Sequence, residues 1–267
     1  MCLRDTLPAF SRSHAVVDPM IRRKSDHPRP RMRDPGAMRS SSTGRGSGPP
    51  ATRGGSRVRL GLVLLASQML YLPLELLVVR TVRAPYDLVG STISELGAVT
   101  CAEYPGPAAV VAVCSPWHAV MNTAFVVFGA LMAVGAVLAR PAFRPGRLGT
   151  VAAGAWVVTG LGSIGTGLVP VDVSVDLHLL VSNPVAVAQP CALLLTARVL
   201  PRPSPLLAAT GTALGLVAAA ATVVFLGAGP PELGGLLERL VVWPATAWLG
   251  AVAVRLLLRD EEPSRVR

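Results

Sequence analysis

Six apolar runs of about 20 residues each, all beginning at or after residue 58, constrain this 267-residue chain more than any other feature. A helix needs about 20 apolar residues to cross the hydrocarbon core of a bilayer, and backbone groups in lipid must be paired within the segment. Charged residues make up 15% of the chain, well below the share in soluble domains. The sequence therefore predicts an all-α, polytopic membrane helical bundle of six transmembrane helices at about 58–79, 117–139, 148–169, 178–198, 206–227 and 239–258.

The loops between these runs alternate in charge. Two loops are basic, and they contain Arg140, Arg144 and Arg147 in one and Arg198 and Arg202 in the other. The remaining loops hold most of the acids that follow residue 57, namely Asp87, Glu95, Glu103, Asp172, Asp176, Glu232 and Glu238. Because basic loops stay in the cytoplasm, we predict a multi-pass protein of the cell membrane with both termini cytoplasmic. The bilayer is its expected partner, and residues 259–267 form a short cytoplasmic tail.

Residues 1–57 carry +8 of the net charge of +10. They are rich in Pro, Gly, Ser and Arg and present no apolar face, so we predict a disordered basic tail. Beside a first membrane span, such charge marks the cytoplasmic side, and no nucleic-acid partner is expected. The first apolar run is too long for the core of a signal peptide.

Several of the predicted spans contain proline or glycine. Pro73, Pro184, Pro190 and Pro244 each remove a helix hydrogen bond and are expected to kink their helices. The glycines between 160 and 167 should let helix backbones approach closely. Residues 160–165 also match the GxGxxG pattern, but no strand precedes them, so the context of a dinucleotide site is missing.

The loop of residues 80–116 contains two further signals. Thr92 and Glu95 have the spacing of a capping box, which predicts the start of a helix. Cys101 and Cys114 lie on the predicted oxidising side, and a bridge between them would contribute about 3 kcal/mol by the chain-entropy model. Two separate thiols are the alternative. Cys191, in the middle of a span, is expected to be a buried apolar filler.

Polar residues cluster near the acidic loops. The predicted polar site consists of Ser94, Glu95, His118, Asp172, Asp176 and His178. Glu75 and Glu238 lie at the same predicted depth, and a deeper polar set within the spans comprises Asn122, Asn183 and Gln189, with Thr123 and Ser182 beside them. Polar groups inside a span tend to face other helices or a cavity.

Three interpretations of this cluster remain open. It can bind or move a small molecule or a lipid through a site that opens outward. It can form a metal-dependent hydrolase of lipids, with His118, His178, Asp172 and Glu95 around an ion such as zinc. It can also consist of helix caps and interfacial anchors in a structural or accessory subunit. The sequence contains no nucleophile elbow, P-loop or HExxH motif.

Three segments together resemble a known family: residues 91–97 (STISELG), residues 117–129, and residues 160–172 followed by His178. They resemble the family named domain of unknown function 998, small prokaryotic membrane proteins with about six spans. The likeness covers roughly residues 60–258, although Ser91 and Glu95 stand where the family often has Asn and Asp. It implies a fold and a location but no assigned activity, and it marks Ser94, Glu95, Asp172 and His178 as residues of a shared site.

Overall fold

The computed structural model describes residues 53–106, 110–201, 204–227 and 231–265. Within these ranges, six helices are long and apolar enough to cross a membrane: Gly55–Val79, His118–Ala142, Arg147–Leu168, Val175–Arg198, Pro205–Leu226 and Gly234–Arg259. The all-α membrane bundle predicted from the apolar runs is confirmed, and the chain is a multi-pass membrane protein. The predicted disordered tail lies almost wholly outside the described residues.

We number the elements in chain order. The first span consists of α1 (Arg53–Ala66) and α2 (Tyr71–Val79), and a hairpin of β1 (Cys101–Pro105) and β2 (Val110–Cys114) follows it. The remaining helices are α3 (His118–Ala139), α4 (Arg147–Leu168), α5 (Val175–Arg198), α6 (Pro205–Leu226) and α7 (Gly234–Arg265). Short 3-10 turns cover Ser67–Leu70, Ser94–Gly97, Arg140–Ala142 and Pro231–Leu233.

The boundaries differ most from the prediction at the last span. Helix α7 begins at Gly234, five residues before the predicted start at 239, because Glu238 was taken as a loop charge. The side chains of Glu238 and Arg239 have partners inside the protein, so the helix includes both residues. The helix also continues to Arg265, into the segment predicted as a tail.

The break between α1 and α2 has a local cause. Pro73 has no backbone N–H to donate to the carbonyl four residues earlier. The residues of the turn before it, Ser67–Leu70, adopt a 3-10 conformation. Pro73 was predicted to kink the first span. In the structure, a 3-10 turn interrupts the α-helix about one turn before the proline.

Helices that follow one another in sequence pack as neighbours from α3 to α7, and α1 packs against both α3 and α7, which closes the bundle. Close approach depends on glycine where α3 crosses α4. A Cβ at Gly160 would collide with the backbone carbonyl of Gly129. The core of the bundle includes Trp156, Leu193 and Trp248, all at most 5% exposed. Large apolar side chains such as Leu180 and Val223 point away from it, as expected of a surface that faces lipid.

Cys191 does not fill the core. Its side chain is exposed on the outside of α5, so the prediction of a buried filler is wrong. The apolar sequence around Cys191 allowed either orientation, because a residue in a membrane span can face lipid as readily as the protein interior.

The hairpin is a feature that the sequence did not predict. Its strands pair antiparallel with Cys101 opposite Cys114, and these two cysteines form a disulfide with an S–S distance of 2.04 Å. Tyr104 and Val113 face inward and pack with Ala98 and Val171. We call this end of the bundle the disulfide end. It is formed by the C-terminus of α2, the loop of residues 80–116, and the starts of α3, α5 and α7.

Candidate functional site

The site is built around the short 3-10 turn Ser94–Gly97. The capping box predicted from sequence holds its start: the Glu95 N–H donates to Thr92 Oγ1 at 3.4 Å, and the Thr92 N–H donates to Glu95 Oε1 at 3.1 Å. Ile93 and Leu96 are at most 1% exposed and fix the turn on the bundle. The sequence thus fixes this turn through its cap and through two apolar anchors.

Two hydrogen bonds attach the C-terminal side of the turn to the start of α3 and to the loop before it. Asn122 Nδ2 donates to the carbonyl of Gly97 at 2.8 Å, and Ser115 Oγ donates to the carbonyl of Leu96 at 2.7 Å. A Cβ at Gly97 would collide with the Asn122 side chain, so glycine is required for this approach. Asn122, predicted as an intramembrane polar residue, therefore anchors the turn to α3.

The turn brings Ser94 into contact with two helices. Ser94 Oγ lies 2.9 Å from His178 Nε2 on α5 and 3.2 Å from Glu238 Oε1 on α7. The second carboxylate oxygen, Glu238 Oε2, accepts from the Ile93 N–H at 2.6 Å. A serine, an imidazole and a carboxyl group from three separate parts of the chain thus meet at one point.

A hydrogen bond on the ring nitrogen that does not face Ser94 fixes the orientation of His178. Its Nδ1 lies 2.6 Å from the carbonyl oxygen of Val169, which can only accept, so Nδ1 carries a hydrogen. In neutral imidazole the other nitrogen, Nε2, is then an acceptor and faces the Ser94 hydroxyl. Ser174 caps α5 by accepting from the Leu177 N–H, which sets the first turn from which His178 projects. The imidazole is 2% exposed.

Ser94, His178 and Glu238 line one end of a cavity of about 900 Å³ that is partly open to its surroundings. The cavity continues along the helices, where its wall is largely apolar and includes Phe128 and Met132. Polar side chains on α5 interrupt this wall at Ser182, Asn183 and Gln189. Gln189 Nε2 donates to the Val242 carbonyl at 3.3 Å. The lining as a whole is mostly apolar, with further amide and hydroxyl side chains at Gln68, Thr159, Ser163, Thr166 and Thr246.

A buried ion pair supports the site from the side of the first span. Arg239 Nε donates to Glu75 Oε1 at 3.1 Å, and the two side chains are 4% and 0% exposed. Glu75 Oε2 also accepts from Trp243 Nε1 at 2.8 Å. Arg239 Nη1 donates to the carbonyls of Leu88 and Ser91 in the loop that precedes Ser94. Glu75 belongs to the polar residues predicted from the sequence and Arg239 does not, although a lone arginine at the edge of an apolar run is itself a signal.

Three residues of the predicted site do not join Ser94 and His178. Asp172 accepts from the Val99 and Thr100 N–H groups at 3.1 and 2.8 Å and so fastens the start of the hairpin. His118 Nδ1 donates to the Ser115 carbonyl at 2.9 Å, one turn back along the chain. Asp176 is exposed. Neither His118 nor Asp176 belongs to the cavity wall.

The donor set does not fit a zinc site. Among the described residues, no three His, Cys, Asp or Glu side chains come together in a way that could hold a metal ion. Glu95, which the metal hypothesis required, is committed to the capping box.

Two loop carboxyl groups have shifted pKa values for different reasons. Burial raises the pKa of Glu95 above its ordinary value, and the hydrogen bonds from Thr92 oppose that shift. The backbone N–H groups of Gly90 and Val89 lower the pKa of the solvent-exposed Asp87, whose carboxylate closes the loop by accepting from both. Both carboxyl groups therefore accept hydrogen bonds that hold the loop in its conformation.

Comparison with known proteins assigns the chain to one family. The family described as "Protein of unknown function (DUF998)" matches residues 61–255. The chain belongs to this family. The match covers the membrane bundle, the hairpin and the Ser94–His178–Glu238 site, and it confirms the resemblance seen in the sequence. No curated protein and no solved structure matches the chain.

Proposed function

We propose that this DUF998 protein binds one amphipathic molecule, such as a lipid, in the cavity of its membrane bundle. The observation that supports this proposal is the shape and lining of the cavity. About 900 Å³ is within the range of small-molecule sites. Its polar end at Ser94, His178 and Glu238 suits a hydrogen-bonding head group, and the wall around Phe128 and Met132 suits an alkyl chain.

The depth of the cavity favours a lipid over a fully polar solute. The lining extends from Ser94 in the loop to Gln189, more than halfway along α5. A polar solute would leave most of that apolar wall without a partner, whereas an alkyl chain that enters from the bilayer exchanges one apolar surrounding for another.

The binding test is native mass spectrometry of the full chain, released from its membrane in mild detergent. We expect one lipid to be retained per chain, and phosphatidylglycerol added to delipidated protein to restore that single adduct. Folded protein that retains no lipid and takes up none would contradict the proposal.

We further propose that the cavity faces the extracytoplasmic side of the cell membrane and that both termini are cytoplasmic. The end of the bundle opposite the disulfide carries the larger share of the arginines, which favours the cytoplasm. These are Arg57, Arg59, Arg140, Arg144, Arg147, Arg198, Arg255 and Arg259. A disulfide at the other end agrees with an oxidising compartment.

Thiol labelling of intact cells tests this orientation. Val89 at the disulfide end and Arg144 at the opposite end are both exposed. We expect a membrane-impermeant maleimide to label Val89→Cys in intact cells and Arg144→Cys only after permeabilisation, with the unmodified chain as background. The reverse pattern would show that the proposed orientation is wrong.

A further inference from the structure

We propose that Ser94 is a nucleophile activated by His178, and that the protein transfers or hydrolyses the acyl group of a lipid ester held in the cavity. This inference rests on the proposed binding function and adds a reaction to it. The sequence lacks a nucleophile elbow, so the pair is recognised by its geometry alone.

The geometry meets the requirements for a serine and its general base. The 2.9 Å distance between Ser94 Oγ and His178 Nε2 lies within hydrogen-bond reach. The Val169 carbonyl holds the hydrogen on Nδ1, so Nε2 is left to receive a proton. In this arrangement a backbone carbonyl orients the imidazole, a role that a carboxylate has in many serine hydrolases.

Glu238 is a positioning residue in this proposal. Glu238 Oε2 accepts from the Ile93 N–H, and Glu238 Oε1 lies 3.2 Å from Ser94 Oγ, so the carboxyl group bridges the nucleophile and the backbone just before it. The Ser94 hydroxyl has one hydrogen, which the reaction requires on the side of His178, so in the reactive form the protonated Glu238 is the donor of its contact with Ser94. It attaches the turn to α7 and so keeps Ser94 within reach of His178 on α5. The capping box and the Asn122 contact fix the same turn from the other side.

The cavity also offers donors for the negative charge that develops on an ester carbonyl. Ser182 lies four residues after His178 and Asn183 five, so both follow it by about one helical turn, and both line the cavity. Within the described chain, neither side chain has a hydrogen-bond partner. Donors that line the same cavity as the nucleophile and bond to no other group can stabilise an oxyanion there.

The reaction balances with water as the second reactant. Ser94 Oγ attacks the ester carbonyl carbon while its proton passes to His178 Nε2. The tetrahedral intermediate collapses, the C–O bond to the alcohol breaks, and the alcohol leaves with that proton. Water then attacks the acyl-serine and gives its proton to His178, which returns it to Ser94 as the fatty acid departs. No oxidant or reductant is needed.

A long-chain alkyl fluorophosphonate tests the inference on the full chain in detergent. Attack by Ser94 Oγ on phosphorus expels fluoride and leaves a stable phosphonyl adduct. We expect one adduct per chain, mapped by peptide mass spectrometry to Ser94. Ser94→Ala should remove it, and His178→Gln should slow labelling by about 10²–10⁴-fold, the usual contribution of a general base.

Two controls make the result specific. Ser67→Ala should label as the parent does, because Ser67 Oγ donates to the Leu64 carbonyl and lies outside the cavity wall. Each variant is checked for lipid retention by native mass spectrometry. Protein that retains its lipid but is not labelled, or is labelled equally fast in His178→Gln, overturns the nucleophile and leaves the binding function intact. Labelled protein that retains no lipid supports the nucleophile and counts against the binding function.

Discussion

Replacing Arg239 with methionine should lower the free energy of unfolding by about 3–5 kcal/mol, the usual cost of removing one partner of a buried ion pair. The change leaves the Glu75 carboxylate, which is 0% exposed, without its cation. It also removes the donor to the carbonyls of Leu88 and Ser91. Thermal unfolding in detergent, followed by size-exclusion chromatography, measures the effect.

The matched control is Arg83→Met. Arg83 is an exposed arginine at the same end of the bundle, and its replacement should change stability little. The double variant Glu75→Leu with Arg239→Met should recover part of the loss, because no uncompensated charge is then buried. Equal stability of Arg239→Met and Arg83→Met would contradict the structural role of the ion pair.

Filling the cavity should abolish lipid binding without unfolding the protein. Ala186 lines the cavity on α5, and the next residue, Val187, is 52% exposed on the outside of the same helix. We expect Ala186→Phe to lose the retained lipid because the ring occupies the space of the alkyl chain. Val187→Phe adds the same aromatic side chain to the lipid-facing surface and should retain the lipid as the parent does.

Native mass spectrometry of the two variants gives the comparison, and the unfolding temperature of each shows whether the bundle is intact. If Ala186→Phe and Val187→Phe hold lipid equally well, the retained molecule lies outside the cavity and the proposed site is wrong. If both variants stay folded and lose the lipid, the retained molecule also lies outside the cavity, because Val187 does not belong to the cavity wall.

The run lengths and hydropathy of the sequence were sufficient to predict the bundle. Six apolar segments in lipid leave few other structures, so the spans were found to within a few residues. The hairpin was not predicted, because two five-residue strands produce little periodic signal beside helices of more than 20 residues. A bridge between Cys101 and Cys114 was considered from the sequence, but the hairpin also depends on the pairing of its strands and on packing against Val171, which are contacts beyond local sequence.

The site was predictable only in part. Ser94 and His178 were placed at one end of the bundle by topology, but the order of helix packing decides which side chains meet there. Asp176 was grouped with His178 by nearness in sequence, yet residues two apart on a helix face different directions. The same rule favours Ser182, four residues after His178, as a neighbour on the cavity wall.

Glu238 and Arg239 show a second limit of prediction from a single sequence. From the sequence, Glu238 was predicted to be a loop acid at the start of the last span, and Arg239 was not singled out. In the structure each has several partners inside the protein, and they link α7 to the first span and to the loop before Ser94. Such pairs depend on the close approach of residues more than 140 positions apart, which a single sequence does not reveal.

The central claim is that the cavity holds an amphipathic molecule with its polar end at Ser94, His178 and Glu238. A phospholipid with a photoreactive diazirine near the end of its acyl chain tests this most directly, since cross-linked peptides report where the chain ends. We predict cross-links to deep cavity residues such as Met132, Ala186 and Gln189, and their loss in Ala186→Phe. Cross-links confined to outward-facing residues such as Leu180 and Val187 would contradict the account.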